Sequence, residues 1–229
     1  MINRKLTKKV ILLTSLTLLL CALTVGGVFA YRVLHHADRL RYYDADGELL
    51  FTEQYDSKGR LAGYTGYRLG EKSYLEEYRV TDECAKADDS EIRRMDGVRQ
   101  TETREVFCRN ASADEMKSDD TLLVSGYDRF GRLVAMQVFS RNGDAYVLLY
   151  TNRYERDSFG NFVSMSRVTP DGETVAEMTF ENTYRFGRLI RSEKTYQVYG
   201  RAYANNDGSV TLKLFQEPRT GEQTIRYQY

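Results

Sequence analysis

Glycine-containing turn pairs recur from about residue 41 onward, and their spacing constrains the fold more than any other feature. Gly47 and Gly59, Gly131 and Gly143, and Gly160 and Gly172 are each separated by 12 residues, which suits a strand of about eight residues and a turn of about four. Glycine takes a positive φ at low cost, so such pairs mark hairpin turns. Further pairs lie at Asp96-Gly97, Phe186-Gly187, Asp207-Gly208 and Thr220-Gly221.

The segments between these turns alternate apolar and polar residues. Ala176, Met178 and Phe180 share one face of a strand, with Glu177 and Thr179 on the other. A period of two with one polar face is typical of an antiparallel sheet that packs on one side. The 18 tyrosines and only 2 prolines also favour strands. We therefore predict an all-β protein, an antiparallel β-meander of repeated hairpins, with the charged, aromatic-poor region 81–120 as a candidate irregular insertion.

The N-terminus predicts export. Val10 to Tyr31 form a run of 22 uncharged residues, and a helix of this length spans roughly 33 Å, enough to cross a bilayer core. Positive charges before the run place the N-terminus in the cytoplasm, and they are Arg4, Lys5, Lys8 and Lys9.

Two hypotheses remain open for this segment. Residues 1–31 are either a basic tip followed by an uncleaved transmembrane helix, or a signal peptide cleaved after Ala30, where Val28 and Ala30 supply small residues. In both cases residues 32–229 form an extracytoplasmic β-repeat domain. The favoured localisation is the cytoplasmic membrane, single pass, N-in and C-out; the alternative is secretion.

Two stretches share a seven-residue motif: "YDSKGRL" at Tyr55–Leu61 and "YDRFGRL" at Tyr127–Leu133. Looser copies are "YDADGEL" at Tyr43–Leu49 and "TYRFGRL" at Thr183–Leu189. The motif resembles the YD repeats of RHS-type surface proteins. The resemblance implies an antiparallel sheet in which the tyrosines and leucines pack and Asp-x-x-Gly forms the turn. The residues concerned are Tyr43, Asp44, Gly47, Tyr55, Asp56, Gly59, Leu61, Tyr127, Asp128, Gly131, Leu133, Gly187 and Leu189.

The resemblance has limits. RHS proteins stack dozens of such repeats into a hollow shell around a toxin, whereas this chain has four recognisable, irregularly spaced copies. The repeat architecture and the exported setting are therefore expected here, and the toxin-shell function is not.

Several function classes are not expected. The only histidines, His35 and His36, lie outside the repeat region, so histidine-based catalysis is not predicted there. Residues 31–229 carry 29 basic and 33 acidic residues, a balance that argues against nucleic acid as a partner. No metal site and no cofactor are predicted. A pair of carboxylates acting as in glycosidases stays open as a minor alternative.

Surplus tyrosines define a candidate binding face, represented by Tyr64, Tyr67, Tyr196 and Tyr199. Exposed tyrosines on a sheet can stack on sugars or anchor a protein partner. The alternative is that they form cross-strand aromatic pairs that stabilise the sheet.

Cys84 and Cys108 are the only cysteines beyond the apolar run. In an oxidising compartment they can form a disulfide, which would contribute about 3 kcal/mol. Two separate thiols are the alternative.

The sequence thus predicts a protein without catalytic activity, a membrane-anchored or exported binding or scaffold module of the bacterial cell envelope. Its partners would be the membrane, through the N-terminal helix, and an unidentified protein or glycan. An immunity or accessory factor for an RHS-like toxin is the alternative, with recognition by strand addition at a sheet edge; an envelope hydrolase comes third.

Overall fold

The computed structural model describes residues 37–86, 95–185 and 188–228, and their strands form a closed antiparallel β-barrel. The predicted helix of residues 10–31 and Gly187 lie outside the described residues. Within the described ranges, no helix combines the length and the apolar character that a membrane crossing needs. The strands are β1 (Arg39–Tyr43), β2 (Leu49–Tyr55), β3 (Leu61–Arg68), β4 (Glu71–Arg79), β5 (Gln100–Asn110), β6 (Lys117–Tyr127), β7 (Leu133–Asn142), β8 (Ala145–Arg156), β9 (Phe162–Val168), β10 (Thr174–Arg185), β11 (Arg188–Ala204) and β12 (Val210–Gln228), with a short 3₁₀ helix at Asp82–Lys86.

Each strand pairs antiparallel with its neighbours in sequence, and the first strand closes the barrel on the last. Leu40 of β1 lies opposite Tyr227 of β12, and Tyr42 lies opposite Ile225. Leu40, Tyr42 and Ile225 are buried together at this seam. The prediction of an all-β antiparallel meander is confirmed, and the meander is a closed barrel.

Aromatic side chains line the inside of the barrel. Tyr42, Phe51, Tyr64 and Tyr74, on β1 to β4, follow one another at ring-centroid distances of 4.1, 5.1 and 6.4 Å. Such cross-strand aromatic pairs stabilise the sheet beyond the area they bury. A second series on β8 to β10 joins Tyr154, Phe162 and Phe180 at 4.9 and 6.2 Å.

The outer wall of the last strands is polar. Glu177, Thr179 and Glu181 alternate with the inward residues of β10 and are exposed, as are Arg191 and Thr195 of β11. Strands that face lipid carry apolar side chains at such positions. Charged and hydroxyl side chains are exposed at these positions, so β10 and β11 pack on their inner side here, as the period of two predicts.

One part of the outer wall is covered. Part of the connection from β4 to β5 lies over β6 and β7, where Met95 joins Leu122, Val124 and Phe139 in a buried cluster. A Cβ added to Gly126 would lie 2.6 Å from Val98 Cγ2, so glycine lets this connection approach the sheet closely. The predicted insertion at 81–120 was too long, because β5 and the start of β6 within it are regular strands.

The β11–β12 hairpin is the longest in the barrel. Beyond a register shift between Val198 and Gly200 it contacts β8, and the Asn205 carbonyl accepts a hydrogen bond from Asn142 Nδ2 at 2.5 Å. The predicted turn at Thr220-Gly221 was wrong: Gly221 lies within β12, opposite Tyr196. A Cβ there would lie 2.4 Å from the Tyr196 hydroxyl oxygen, so glycine makes room for the tyrosine ring.

Candidate binding face at the entry end of the barrel

The meander gives the barrel two different ends. The chain enters at Ala37, and at this entry end β2–β3, β4–β5, β6–β7, β8–β9 and β10–β11 are joined. The far end holds the connections 44–48, 69–70, 111–116, 143–144, 169–173 and 205–209. Both complete copies of the seven-residue motif have their turns at the entry end.

The Asp-x-x-Gly segment forms a five-residue turn held by its own aspartate. The Asp128 N–H donates to the Arg132 carbonyl at 2.9 Å, and the Gly131 N–H donates to the Asp128 carbonyl at 3.0 Å. Asp128 Oδ1 accepts hydrogen bonds from the N–H groups of Phe130 and Arg132, at 2.8 and 3.0 Å. Gly131 has φ 74°, a conformation that glycine adopts without steric cost. The turns at 56–60 and 157–161 have the same hydrogen bonds.

Three further connections form this turn. They were predicted as hairpin turns from their glycines, but not as copies of the motif, because their first residue or flanking residues depart from it. They are 157–161, 169–173 and 205–209, which begin with Asp157, Thr169 and Asn205. The signal that they share with the motif is a short polar residue three positions before glycine. Asp44 forms the same turn with Gly47, as the looser copy predicted.

The turn aspartates are held in their ionised form. Burial by itself would raise the pKa of Asp128, but the N–H groups of Arg132 and Phe130 and the Arg132 guanidinium outweigh it and lower the pKa. Arg132 Nη2 lies 2.7 Å from Asp128 Oδ2. The pKa of Asp157 is lowered in the same way against its burial, with Tyr184 and Asn161 as donors. The Asp128 charge is therefore compensated by Arg132 inside its own turn, whereas Asp157 is stabilised by neutral hydrogen-bond donors, one of them Tyr184 on β10.

The carbonyl of the motif leucine is an anchor point for a neighbouring hairpin. Arg156 of β8 donates to the Leu133 carbonyl from Nε at 2.9 Å and from Nη2 at 2.7 Å. Its Nη1 donates to the Gly160 carbonyl at 2.5 Å, and its guanidinium lies 4.0 Å from the Phe162 ring centroid. Burial lowers the pKa of Arg156 to about 10, which still leaves it charged at neutral pH.

The other complete motif copy has the matching contact. Arg104 of β5 donates from Nη1 to the Leu61 carbonyl at 2.7 Å and from Nη2 to Asp56 Oδ2 at 3.0 Å. Arg60 Nη1 binds Glu102 Oε1 at 2.6 Å. The leucine carbonyl beside a register shift thus accepts from an arginine of a later strand in both copies.

Exposed phenylalanines project from two neighbouring turns at this end. Phe130 is 66% exposed and Phe159 is 63% exposed. The guanidinium carbons of Arg129 and Arg132 lie 4.6 and 5.0 Å from the Phe130 ring centroid. A Cβ added to Gly160 would lie 3.5 Å from Arg132 Cδ, so the two turns are adjacent. We call Arg129, Phe130, Arg132 and Phe159 the entry face; it combines exposed aromatic rings with cations.

The far end has a different character. Its six connections contain no lysine or arginine and nine acidic residues, which are Asp44, Asp46, Glu48, Asp114, Glu115, Asp144, Asp171, Glu173 and Asp207. In the described part of the entry-end connections, six acidic residues stand against six basic ones. The two ends therefore differ in charge because the far end is an acidic rim, and not because the entry end has an excess of cations.

The four tyrosines predicted as a binding face do not share a surface. Tyr64 faces the inside of the barrel between Phe51 and Tyr74, and Tyr196 lies over Gly221. Tyr199 donates a hydrogen bond to Glu177 Oε2 at 2.8 Å on the outer wall. Tyr67, half-buried, follows the register shift at Gly66. The alternation of the sequence could not tell which of the two faces closes inward.

The inner surface carries a polar network around Glu53. Its Oε2 accepts from the hydroxyls of Tyr42 at 2.7 Å and of the motif residue Tyr55 at 2.8 Å. Burial first, and the Glu53 charge second, raise the pKa of both tyrosines well above the usual value. Burial raises the pKa of Tyr154, on β8, to about 12, against the opposing effects of Arg167 and of a hydrogen bond with Asn152.

A lysine completes this network. Lys194 Nζ donates to Gln223 Oε1 at 3.1 Å and lies 5.6 Å from the Tyr42 ring centroid. Burial lowers the pKa of Lys194, and Glu53 partly offsets this effect. These groups satisfy one another inside the barrel and stabilise the fold. Over the described residues, no cluster of three or more His, Cys, Asp or Glu side chains is placed to hold a metal ion.

The remaining motif residues are structural as well. Leu189 is 4% exposed and packs in the sheet, Leu61 and Tyr127 are half-buried, and the Tyr43 ring lies 4.6 Å from the guanidinium of Arg226.

Cys84 and Cys108 are free thiols in the structure, not the disulfide that the sequence allowed. Cys84 packs on the outer cluster. Cys108 lies on β5 within hydrogen-bonding reach of the Tyr74 side chain, whose pKa is raised by burial and then by Cys108. Tyr74 belongs to the inner aromatic series, so the sheet separates the two sulfur atoms.

No family model matches this chain, and no curated protein matches its sequence. Two solved structures are distantly similar. A porin-like protein from Bacteroides uniformis ATCC 8492 is 12% identical over 84% of this chain and 96% of its own, with a TM-score of 0.31. A DUF3836 family protein from Bacteroides vulgatus ATCC 8482 is 11% identical over 44% of this chain and 98% of its own, with a TM-score of 0.29. Similarity at this level carries neither a family nor a function over to this chain.

Proposed function

We propose that this chain is an exported, membrane-anchored β-barrel of the bacterial cell envelope that acts by binding or scaffolding and not by catalysis. The observation that carries the proposal is the position of the chain entry. The uncharged run of 22 residues ends at Tyr31, and the first strand of the barrel begins at Arg39, at the entry end. In an anchored chain the entry end would therefore face the membrane, and the acidic rim would face away from it.

The YD-repeat relationship is part of this proposal. The two complete motif copies form the same turn, and in each the motif leucine accepts a hydrogen bond from an arginine of another hairpin. This common geometry supports descent of the hairpins from one repeat unit. In this chain the hairpins close on themselves into a barrel of twelve strands and would form a small module of their own.

A toxin-immunity factor is the alternative. Strand addition needs a sheet edge with unpaired backbone groups. The barrel is closed because β1 pairs with β12, but β1 reaches only the residues from Thr224 onward. Among the described strands, the earlier part of β12 pairs with β11 alone, so the long β11–β12 hairpin is the place where a partner strand could be added.

The test is fractionation of the native protein followed by measurement of its intact mass. A membrane-bound chain that begins at Met1 is the expected result. A chain recovered in the soluble fraction and beginning at Tyr31 would contradict the anchor and leave a secreted module.

A further inference from the structure

We propose that the entry face docks on the surface of the membrane that holds the anchor, with Phe130 and Phe159 inserted between the headgroups of anionic phospholipids. This inference rests on the proposed anchor and names its partner surface. It is carried by the length of the tether, the chemistry of the exposed turns and the difference in charge between the two ends of the barrel.

The tether is short. Residues 32–38 lie between the apolar run and the first strand of the barrel, which begins at Arg39. Seven residues span at most about 25 Å even when fully extended. In an anchored chain the entry end therefore cannot move far from the lipid headgroups. Groups that project from this end are held close to lipid, at a high effective concentration.

The projecting groups have the chemistry of a membrane interface. Phe130 and Phe159 are apolar rings that are more than half exposed on adjacent turn tips. Exposed phenylalanine gains free energy when it leaves water, and aromatic rings beside arginine are favoured at the headgroup level. Arg129 and Arg132 lie against the Phe130 ring. Arg132 is ion-paired with Asp128, so Arg129 is the cation that can bind a lipid phosphate while it keeps its contact with the ring.

The same residue type recurs in the sequence of a further entry-end connection. The sequence between β10 and β11 contains Phe186, flanked by Arg185 and Arg188. Phenylalanine thus stands immediately before the glycine in three entry-end connections, and in none of those at the far end. Turn geometry does not require it, since Lys58 occupies this position in the β2–β3 turn.

Electrostatics favours the same orientation. An anionic leaflet attracts arginine and lysine by about 1 kcal/mol per residue near the surface and repels acids. The acidic rim lies roughly 30 Å away along strands of this length and tilt, beyond the screening length at physiological salt. The acidic 3₁₀ helix is also directed away from the entry end, since Glu83 pairs with Arg141, next to the far end of β7.

The experiment uses the full chain in lipid nanodiscs, with bromine atoms on the upper acyl carbons of phosphatidylglycerol as quenchers. The protein contains no tryptophan, so Phe130→Trp and Phe159→Trp each place a single fluorophore on the entry face. Tyr203→Trp is the matched control, an aromatic replacement at a 47% exposed position on β11, next to the far-end turn. Equal thermal stability of the three variants shows that each keeps the fold.

Docking predicts that the emission of Phe130→Trp and Phe159→Trp falls about twofold or more in brominated nanodiscs, because an interfacial ring enters roughly 5–10 Å into the headgroup and acyl boundary. Tyr203→Trp should not be quenched. Replacing Arg129 by Glu in the Phe130→Trp background should weaken the quenching. Entry-face variants that are quenched no more than Tyr203→Trp would overturn the proposal and assign this face to a protein partner.

The two proposals fail in different ways. If the chain stays associated with lipid but its entry-face tryptophans are not quenched, the anchor is retained and the docking proposal is contradicted. A chain that does not float with lipid lacks the anchor, and the docking proposal that rests on it is then overturned as well.

Discussion

The guanidinium of Arg156 donates two hydrogen bonds to the backbone carbonyl of Leu133, at 2.9 and 2.7 Å. This contact joins the β8–β9 hairpin to the turn between β6 and β7. Hydrogen bonds from a charged donor contribute about 1.5–3 kcal/mol each, so Arg156→Lys, which cannot bind from two nitrogens at once, should lower the free energy of unfolding by roughly 2 kcal/mol. Urea unfolding measures the change. Arg153→Lys, exposed on the same strand, is the control, and equal losses in the two variants would contradict the role of Arg156.

Gly131 should tolerate no β-branched residue. Its φ is 74°, and a Cβ there would meet no atom within 4 Å, so the effect of substitution is backbone strain alone. Gly131→Val should cost about 1–2 kcal/mol, while Gly131→Asn should cost less because asparagine enters the left-handed region more readily. Thermal unfolding of both variants tests this. An unchanged melting temperature for Gly131→Val would count against the turn geometry.

Gly126 should couple energetically to Val98. A methyl group at Gly126 would lie 2.6 Å from Val98 Cγ2, which forces Val98 away from the sheet. Gly126→Ala should therefore cost about 1–3 kcal/mol. Val98→Ala in the same chain should recover part of this loss, because it frees the space. The double-mutant cycle would contradict the contact if the two effects simply added.

The turn aspartates should make the fold sensitive to acid. The pKa of Asp128 is lowered in the folded state, so its stabilisation is complete above the unfolded value of about 3.9 and is lost as the pH falls through the folded value. Asp128→Asn keeps the accepting oxygen and removes the charge. The stability difference between wild type and variant should shrink between about pH 5 and pH 2. A difference that stays constant over this range would contradict the ionic role.

Both thiols should be free for alkylation. Cys84 lies on the outer cluster and Cys108 beside the inner Tyr74, so the sheet keeps them apart. Unfolding in excess N-ethylmaleimide without reductant should yield one adduct on each of these cysteines. A peptide pair linked through Cys84 and Cys108 would contradict the positions of the two side chains.

Local features of this fold were predictable from the sequence, and its closure was not. The turn at Asp128 is fixed by residues within five positions of one another, so the motif and its glycine identify it. The contact between Leu40 and Tyr227 joins the two ends of the chain, and no periodic pattern reports on a pairing so distant. The sequence therefore predicts a meander but not the barrel.

The candidate site divides in the same way. The alternation of the sequence predicts which residues share a strand face with Tyr64 or with Glu53. Which of the two faces lies inside the barrel depends on how the sheet closes. The contact between Arg156 and Leu133 arises because one hairpin packs beside another. Neither copy of the seven-residue motif predicts this contact. The entry face was missed because Phe130 and Phe159 belong to turns that look purely structural until the barrel brings them to one end.

The central claim is an extracytoplasmic barrel held by an N-terminal anchor, and the direct test is protease treatment of intact spheroplasts. Added proteinase should remove residues beyond the anchor while a cytoplasmic marker protein stays intact, and a short fragment containing Val10 to Tyr31 should remain in the membrane. A barrel that survives in intact spheroplasts and is degraded only after lysis would place it in the cytoplasm and contradict the account.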